Sequence, residues 1–133
     1  MVAAAKEVGA QVAVRSRDAG RRAAFERWMA EFGVPGARVE ECQVLINATP
    51  LGLHPRDHLP LALEEAPDAL VALDLIYSHG ETAWVRAMRQ AGLRASDGRT
   101  MLVEQAAEAF RRWFPEEDPP TEIMRAALND ALR

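Results

Sequence analysis

The 133-residue sequence predicts an α/β protein built on a parallel sheet. Three observations predict it. Apolar runs at residues 43–47 and 70–76 read as interior strands. Amphipathic segments with apolar residues at i, i+3, i+4 and i+7 alternate with such runs. The strands open into polar, turn-forming residues, and ligands in open α/β sheets sit just past the carboxyl ends of the strands. The stretch Gln43-Val-Leu-Ile-Asn-Ala-Thr-Pro-Leu-Gly-Leu53 carries this pattern most clearly. Its Val44, Leu45 and Ile46 predict a strand buried on both faces, and Asn47, Ala48, Thr49, Pro50 and Gly52 predict a tight loop with free backbone donors. By pattern alone, an ordinary core strand and turn would read the same way.

Taken in order, residues 2–9 read as a helix ended by Gly9. It starts without a cap or a preceding loop, as if its beginning had been cut away. Residues 11–15 suit a short strand. Asp18 is placed to cap a helix of about 14 residues, by ordinary helix lengths. The inward face of that helix is Phe25, Trp28, Met29 and Phe32. Gly33, Pro35 and Gly36 end it, and residues 38–40 suit a minimal strand. Residues 54–69, with Pro55, Pro60 and Pro67, read as an irregular loop. In the strand at 70–76, Asp74 is a lone carboxylate that must be hydrogen-bonded or sit at the strand's end. Thr82 caps a helix running to Ala91 and stopped by Gly92. A weak strand at 93–96 and an Asp97-Gly98 turn follow. Residues 101–114 form a strong amphipathic helix with Leu102, Ala106, Phe110 and Trp113 inward. Pro115, Pro119 and Pro120 break it, and Thr121 caps a closing helix through Ile123, Leu128 and Leu132.

Composition narrows the function classes. With 49% hydrophobic and 27% charged residues the chain is globular rather than disordered. A net charge of -4 and a pI near 5.4 argue against a broad nucleic-acid footprint, although a local basic cluster could still hold one phosphate. One thiol, Cys42, cannot make an internal disulfide or a cysteine-based metal site, so a cytoplasmic location is expected. No apolar run approaches the ~20 residues of a membrane span, and no signal-peptide pattern opens the chain. His54 and His58 are four apart, but Pro55 disrupts a helical frame between them, and solvated loop histidines are expected rather than a metal site.

The basic cluster lies at one corner. Arg15, Ser16 and Arg17 end the strand expected at 11–15, with Arg21 and Arg22 one turn into the next helix. In a dinucleotide-binding sheet this corner holds the adenosine ribose. Guanidinium groups there suit the 2′-phosphate of NADP, whereas an acid would bind the free 2′-hydroxyl of NAD. The helix start at residues 18–21 adds backbone donors. Asp18 opposes a phosphate unless its charge is used as the helix cap. Arg21 and Arg22 equally suit a solvated helix face.

Three ordered motifs then converge: Leu45-Ile-Asn-Ala-Thr-Pro-Leu-Gly52; Asp74-Leu-Ile-Tyr77 followed by Glu81-Thr82; and Asp97-Gly98-Arg-Thr-Met-Leu-Val-Glu-Gln-Ala-Ala107. With this spacing, the chain resembles the carboxyl-terminal domain of shikimate dehydrogenase from about residue 2 to residue 128. The resemblance implies a partial dinucleotide-binding domain over residues 1–133, an incomplete Rossmann-like parallel sheet flanked by helices, with its first strand missing. It also implies that the helices within 101–133 pack back towards a substrate domain. Ser16, Arg17 and Asp18 fall on the family's Asn-Arg-Thr segment that holds the 2′-phosphate, with Arg21 beyond it; two of those three positions differ. Asn47, Ala48 and Thr49 would lie along the cofactor towards its nicotinamide, and Leu75 and Gly98 match positions whose backbone contacts that ring. Tyr77 and Gln105 match side chains that reach the substrate, a hydroxylated cyclohexene carboxylate. Each can donate and accept a hydrogen bond.

The expected cofactor is NADP, with NAD possible, and the expected small-molecule partners are shikimate and 3-dehydroshikimate. The family's catalytic lysine and aspartate belong to an amino-terminal domain outside this sequence. No G-x-G-x-x-G turn occurs here, and Lys6 is the only lysine. The chain alone is therefore expected to be inactive. Without the first strand the sheet would have open edges, through which the chain could self-associate. Two other readings stay open: a non-catalytic Rossmann-like binding module, and a quinate/shikimate dehydrogenase relative using NAD, which Ser16 and Asp18 allow.

Overall fold

The structure is a computed structural model that describes residues 1–54 and 56–132; Pro55, expected to disrupt a helical frame between His54 and His58, lies outside the described residues, as does Arg133. The chain divides into two compact units, one formed by Met1–Gln43 with Ala62–Ala69, the other by Val44–Leu61 with Leu70–Arg133.

The first unit holds helix α1 (Val2–Glu7) and helix α2 (Ala19–Phe32). Asp18 caps α2 as expected: its carboxylate accepts from the Arg21 amide at 2.9 Å. Gly33 closes the helix in the left-handed conformation, φ 81°, which a side chain would disfavour. The expected strand at 11–15 does not form. Val12 makes only an isolated parallel bridge to Gly36, through Val12 N–H to the Pro35 carbonyl and Ala37 N–H to the Val12 carbonyl. An extended segment becomes a strand only when a neighbour supplies a continuing ladder, and a single bridge does not. Residues 38–40 are likewise no strand; a 3-10 turn occupies Val39–Glu41.

The aromatic face of α2 is a second departure. Of the four residues expected on that face only Met29 is buried, while Phe25, Trp28 and Phe32 stay partly exposed; Phe25 is tilted against Trp28 (centroids 5.2 Å apart) and Trp28 stacks on Phe32 (5.3 Å). The Lys6 ammonium donates to the Phe32 carbonyl at 2.6 Å and lies 4.5 Å from the Phe32 ring centroid.

The second unit contains the sheet. Strands β1 (Val44–Asn47), β2 (Val71–Asp74) and β3 (Arg94–Ser96) lie in that order, all parallel. Register aligns Asn47 with Asp74 and Leu73 with Ser96, so the three carboxyl ends lie side by side. Helix α3 (Ala83–Gln90) packs on β2 and β3 and buries Trp84, Val85 and Met88. Helix α4 (Arg99–Trp113) packs on α5 (Thr121–Ala131). The expected α/β class with a parallel sheet is therefore present. Among the described residues, no helix is long and apolar enough to cross a membrane.

Three details of this unit differ from expectation. Strand β1 is not buried on both faces: Leu45 and Asn47 are buried, but Val44 is 55% and Ile46 43% exposed. Consecutive side chains point to opposite faces of a sheet, and only one face of β1 is covered. In α4 the buried positions are Val103 and Ala107, one residue out of phase with the expected stripe; Ala106 is exposed and Trp113 is 74% exposed. The inward phase follows the surface α4 packs on, and the apolar residues on several sides of this helix leave that phase open. Thr121 is the first residue of α5 rather than its cap, the cap position being Pro120.

Packing predicts a clear contrast between two tryptophans. Trp84 is 1% exposed and its indole N–H donates to the Leu61 carbonyl at 3.0 Å. Trp84→Ala is expected to cost about 3–5 kcal/mol, whereas Trp113→Ala should change stability by less than about 0.5 kcal/mol. Urea denaturation followed by circular dichroism measures both; equal losses would contradict the packing described.

Candidate functional site

The carboxyl edge of the sheet gathers most of the expected residues. Strand β1 ends in Asn47, which is buried and fully hydrogen-bonded. Its amide nitrogen donates to the Leu51 carbonyl (3.0 Å) and to Asp74 Oδ1 (2.8 Å). Its amide oxygen accepts from the Thr49 backbone N–H (3.0 Å) and the Thr49 hydroxyl (2.7 Å). That uses both donors and both acceptor positions of the side chain. Thr49 Oγ1 in turn accepts from the Leu51 N–H at 3.2 Å. The loop after β1 is thus wound around one buried amide, and its shape is decided by side chains rather than by sheet hydrogen bonds.

Asp74, at the end of β2, is completely buried. Oδ1 accepts from Asn47 and from the Ile76 N–H (3.2 Å), and Oδ2 accepts from the Thr82 hydroxyl (2.8 Å). Thr82 also caps α3 by accepting from the Val85 N–H at 3.2 Å. Both alternatives that the sequence raised for this carboxylate therefore hold at once: it terminates its strand and it is hydrogen-bonded.

Beyond β2 the chain passes Leu75, whose N–H donates to the Asn47 carbonyl at 3.0 Å. Gly98, just past β3, donates its N–H to the Ile76 carbonyl at 3.1 Å. A Cβ on Gly98 would collide with the Leu75 carbonyl oxygen and stand 2.9 Å from its carbon. Here glycine is required by close backbone approach rather than by a positive φ. Leu75 and Gly98, expected at adjacent points of one ligand, are in direct contact. Tyr77 is 39% exposed on the following loop. Gln105 lies on the exposed face of α4, in a shallow cavity of about 550 Å³ with Met101, Glu108, Ala109, Arg112 and Trp113.

A second cavity, about 340 Å³, opens beside Glu81, Arg89, Asp97, Arg99, Arg125 and Asn129. Its charges are already matched. Arg99 forks onto both oxygens of Asp97 at 2.7–3.0 Å, which keeps the guanidinium above its ordinary pKa. Arg89 bonds Glu81 and the Ala95 carbonyl, and Arg125 faces Glu104 at 3.7 Å.

In the first unit, Ser16, Arg17 and Arg21 surround the start of α2. Ser16 Oγ accepts from the Asp18 N–H at 3.2 Å, and the Asp18 carboxylate is occupied as the cap and lies 3.6 Å from the Arg21 guanidinium. Arg15 is paired with Glu65. Arg22 Nε is buried without a hydrogen bond, its carboxylate neighbour Glu26 standing 3.7 Å away. Arg17 is exposed and makes no ion pair among the described residues.

Two other expectations concern titration and metal binding. Among the described residues no group of three His, Cys, Asp or Glu side chains could hold a metal ion. Between His54 and His58, Asp57 accepts from the Gly52 and His54 amides, both at 3.0 Å, and those backbone bonds, led by that of His54, hold its carboxyl below the ordinary 3.8. Burial pushes the Cys42 thiol up, as suits a small packed side chain rather than a reactive one.

Sequence reading missed the junction at Asp74. The signal was present, an acid inside an apolar run, but nothing in one dimension joined it to Asn47 and Thr82.

Two measurements follow from this geometry. Gly98→Ala should destabilise the chain by about 1–3 kcal/mol in urea denaturation, because backbone at Leu75 must move to admit the methyl. The depressed Asp57 carboxyl contributes stability to its turn above its unfolded value, and that contribution is lost as pH falls through the lowered one. The Gly52 and His54 amide resonances should therefore shift together in acid, with a midpoint below 3.8.

Known proteins resemble this chain over most of its length. The family model for the shikimate 5′-dehydrogenase C-terminal domain matches residues 98–128, from Gly98 into α5. The chain is 34% identical over 137 residues to shikimate dehydrogenase (NADP(+)) of Methanosarcina mazei, covering 94% of this chain and 49% of that protein. Shikimate 5-dehydrogenase of Thermus thermophilus, solved in complex with NADP(H) and shikimate, superposes with a TM-score of 0.79 at 34% identity over 96% of this chain and 48% of that one. A further shikimate dehydrogenase, solved with NADP+, gives 0.81 at 26% identity, covering 98% and 50%. The chain spans about half the length of the curated relatives it matches. In sequence and in fold, the chain belongs to the shikimate dehydrogenase family, within which it corresponds to the carboxyl-terminal domain.

Proposed function

We propose that this chain is the nucleotide-binding portion of an NADP-dependent shikimate dehydrogenase, which reduces 3-dehydroshikimate to shikimate. One observation carries the reading: residues expected to meet a single ligand stand together at the carboxyl edge of one parallel sheet, where open α/β sheets bind ligands. In the second unit, the backbone after β1 at Asn47, Ala48 and Thr49, together with Leu75 and Gly98, faces the nicotinamide end. Tyr77 and Gln105 reach the substrate, donating to and accepting from its hydroxyls and carboxylate. The Asn47 side chain is already fully engaged, so its part is to shape the loop.

In the first unit, Ser16, Arg17 and Arg21 receive the 2′-phosphate. The residues fit that group: Arg17 is free, the Asp18 charge is spent on the helix start, and an orphaned Arg22 Nε lies one turn along. When bound, the dinucleotide supplies the hydride. A proton acceptor beside the reacting hydroxyl is also required, and Lys6, in α1, is no credible one. The acceptor belongs to the substrate domain of the whole enzyme, which docks on the helices within 101–133; exposed Trp113, Phe114 and Ile123 support that placement. A cytoplasmic location, and self-association through the open edge of β1, complete the proposal. Ser16 and Asp18 leave open one second reading, a quinate/shikimate relative that uses NAD.

Titration with NADPH and NADH, followed by nicotinamide fluorescence, separates these readings. Binding of NADPH, weakened about tenfold in Arg17→Ala while NADH is unaffected, is the expected result. Preference for NADH would favour the second reading, and no binding of either would favour a module without cofactor chemistry. The purified chain should show no NADPH-dependent turnover of 3-dehydroshikimate; measurable turnover would overturn the assignment of the proton acceptor elsewhere.

A further inference from the structure

We infer that Asp74 is a positioning residue: through Asn47 it sets the conformation of the loop that presents Thr49 and Leu51, and through Thr82 it ties that loop to the start of α3. The inference rests on the reading that this loop faces the cofactor. Asp74 is completely buried, and among the described residues its carboxylate has no cationic partner; its hydrogen bonds come from an amide, a hydroxyl and a backbone N–H. A carboxylate so placed is stable only while each oxygen keeps its donors. Oδ1 orients the Asn47 amide, and the orientation of that amide decides which atom faces Thr49. Were the Asn47 amide to turn over, two N–H groups would confront the Thr49 N–H, and the Leu51 carbonyl would lose its donor. Asp74 adds a third penalty to those at Thr49 and Leu51, because the flip would also set the Asn47 amide oxygen against Oδ1. Thr82 completes the lock from the far side, since its hydroxyl hydrogen goes to Oδ2 while its oxygen accepts from Val85.

None of these contacts requires Asp74 to touch a ligand. Its effect is on the shape of the loop before anything binds. Pre-forming that shape lowers the ordering cost of binding. The coupling also makes a remote prediction, because the Thr82 hydroxyl bonds Asp74 and Val85 rather than the 47–51 loop, and yet supports that loop through Asp74.

Amide hydrogen exchange resolved by NMR, together with NADPH titration, tests this on the full chain. Asp74→Ala should speed exchange at Thr49 and Leu51 by about tenfold or more and weaken NADPH to a similar degree. Thr82→Val should change both in the same direction by a smaller factor, and Thr82→Ser, which keeps the hydroxyl, should restore the wild-type values. Unchanged protection at Val103 and Ala107 shows that the variants are folded; should Asp74→Ala fail to fold, the two Thr82 variants decide the matter alone. If Thr82→Val loosens Val85 but leaves Thr49 and Leu51 untouched, Asp74 merely supports the helix cap and the inference falls. If the wild-type chain binds no NADPH, the cofactor reading fails separately, and exchange at Thr49 and Leu51 still decides whether Asp74 sets the loop.

Discussion

A carboxylate with no access to water governs the second unit. A carboxyl group removed from solvent has to find hydrogen-bond partners for both oxygens. Asp74 meets that demand with donors from the end of β1, from its own strand's continuation and from the start of α3. The same three bonds bring together segments separated by 27 and 8 positions in sequence. Satisfying one buried polar group and aligning the carboxyl edge of the sheet are here the same event.

Two different devices shape that edge. After β1, side chains wind the loop, with Asn47 and Thr49 exchanging bonds that sheet partners would otherwise have made. After β3, backbone lies directly on backbone, and the absence of a Cβ at Gly98 lets its N–H reach Ile76 above the Leu75 carbonyl. The first device leaves polar backbone near the surface while its side chains are consumed within. The second leaves almost no side chain at all.

Much of this was readable along the chain, and the failures have a common origin. The Asp18 cap, the Gly33 stop and the Thr82 cap are local chemistry, decided within four residues, and each is found where the sequence put it. The apolar runs at β1 and β2 declared themselves in the same way. By contrast, residues 11–15 have strand-like composition and no strand, because a ladder depends on a neighbour and not on composition. Phe25, Trp28 and Phe32 have core spacing and lie partly in water, while Val103 and Ala107, less conspicuous in sequence, are the residues α4 buries. Periodicity states that a helix has an apolar face; it does not state which surface that face meets.

The sequence by itself determined the class of fold, the caps at Asp18 and Thr82, the stop at Gly33, and the residues at the carboxyl ends of β1 and β3, since these depend on propensity, capping and short-range pattern. Tertiary structure alone decided what those end residues do. It made Asn47 the centre of its loop, gave Asp74 its donors, and placed Gly98 against Leu75. The physical reason is that a buried polar group is satisfied by whatever lies within about 3 Å of it in space, and that neighbour is set by the register of parallel strands rather than by distance along the chain.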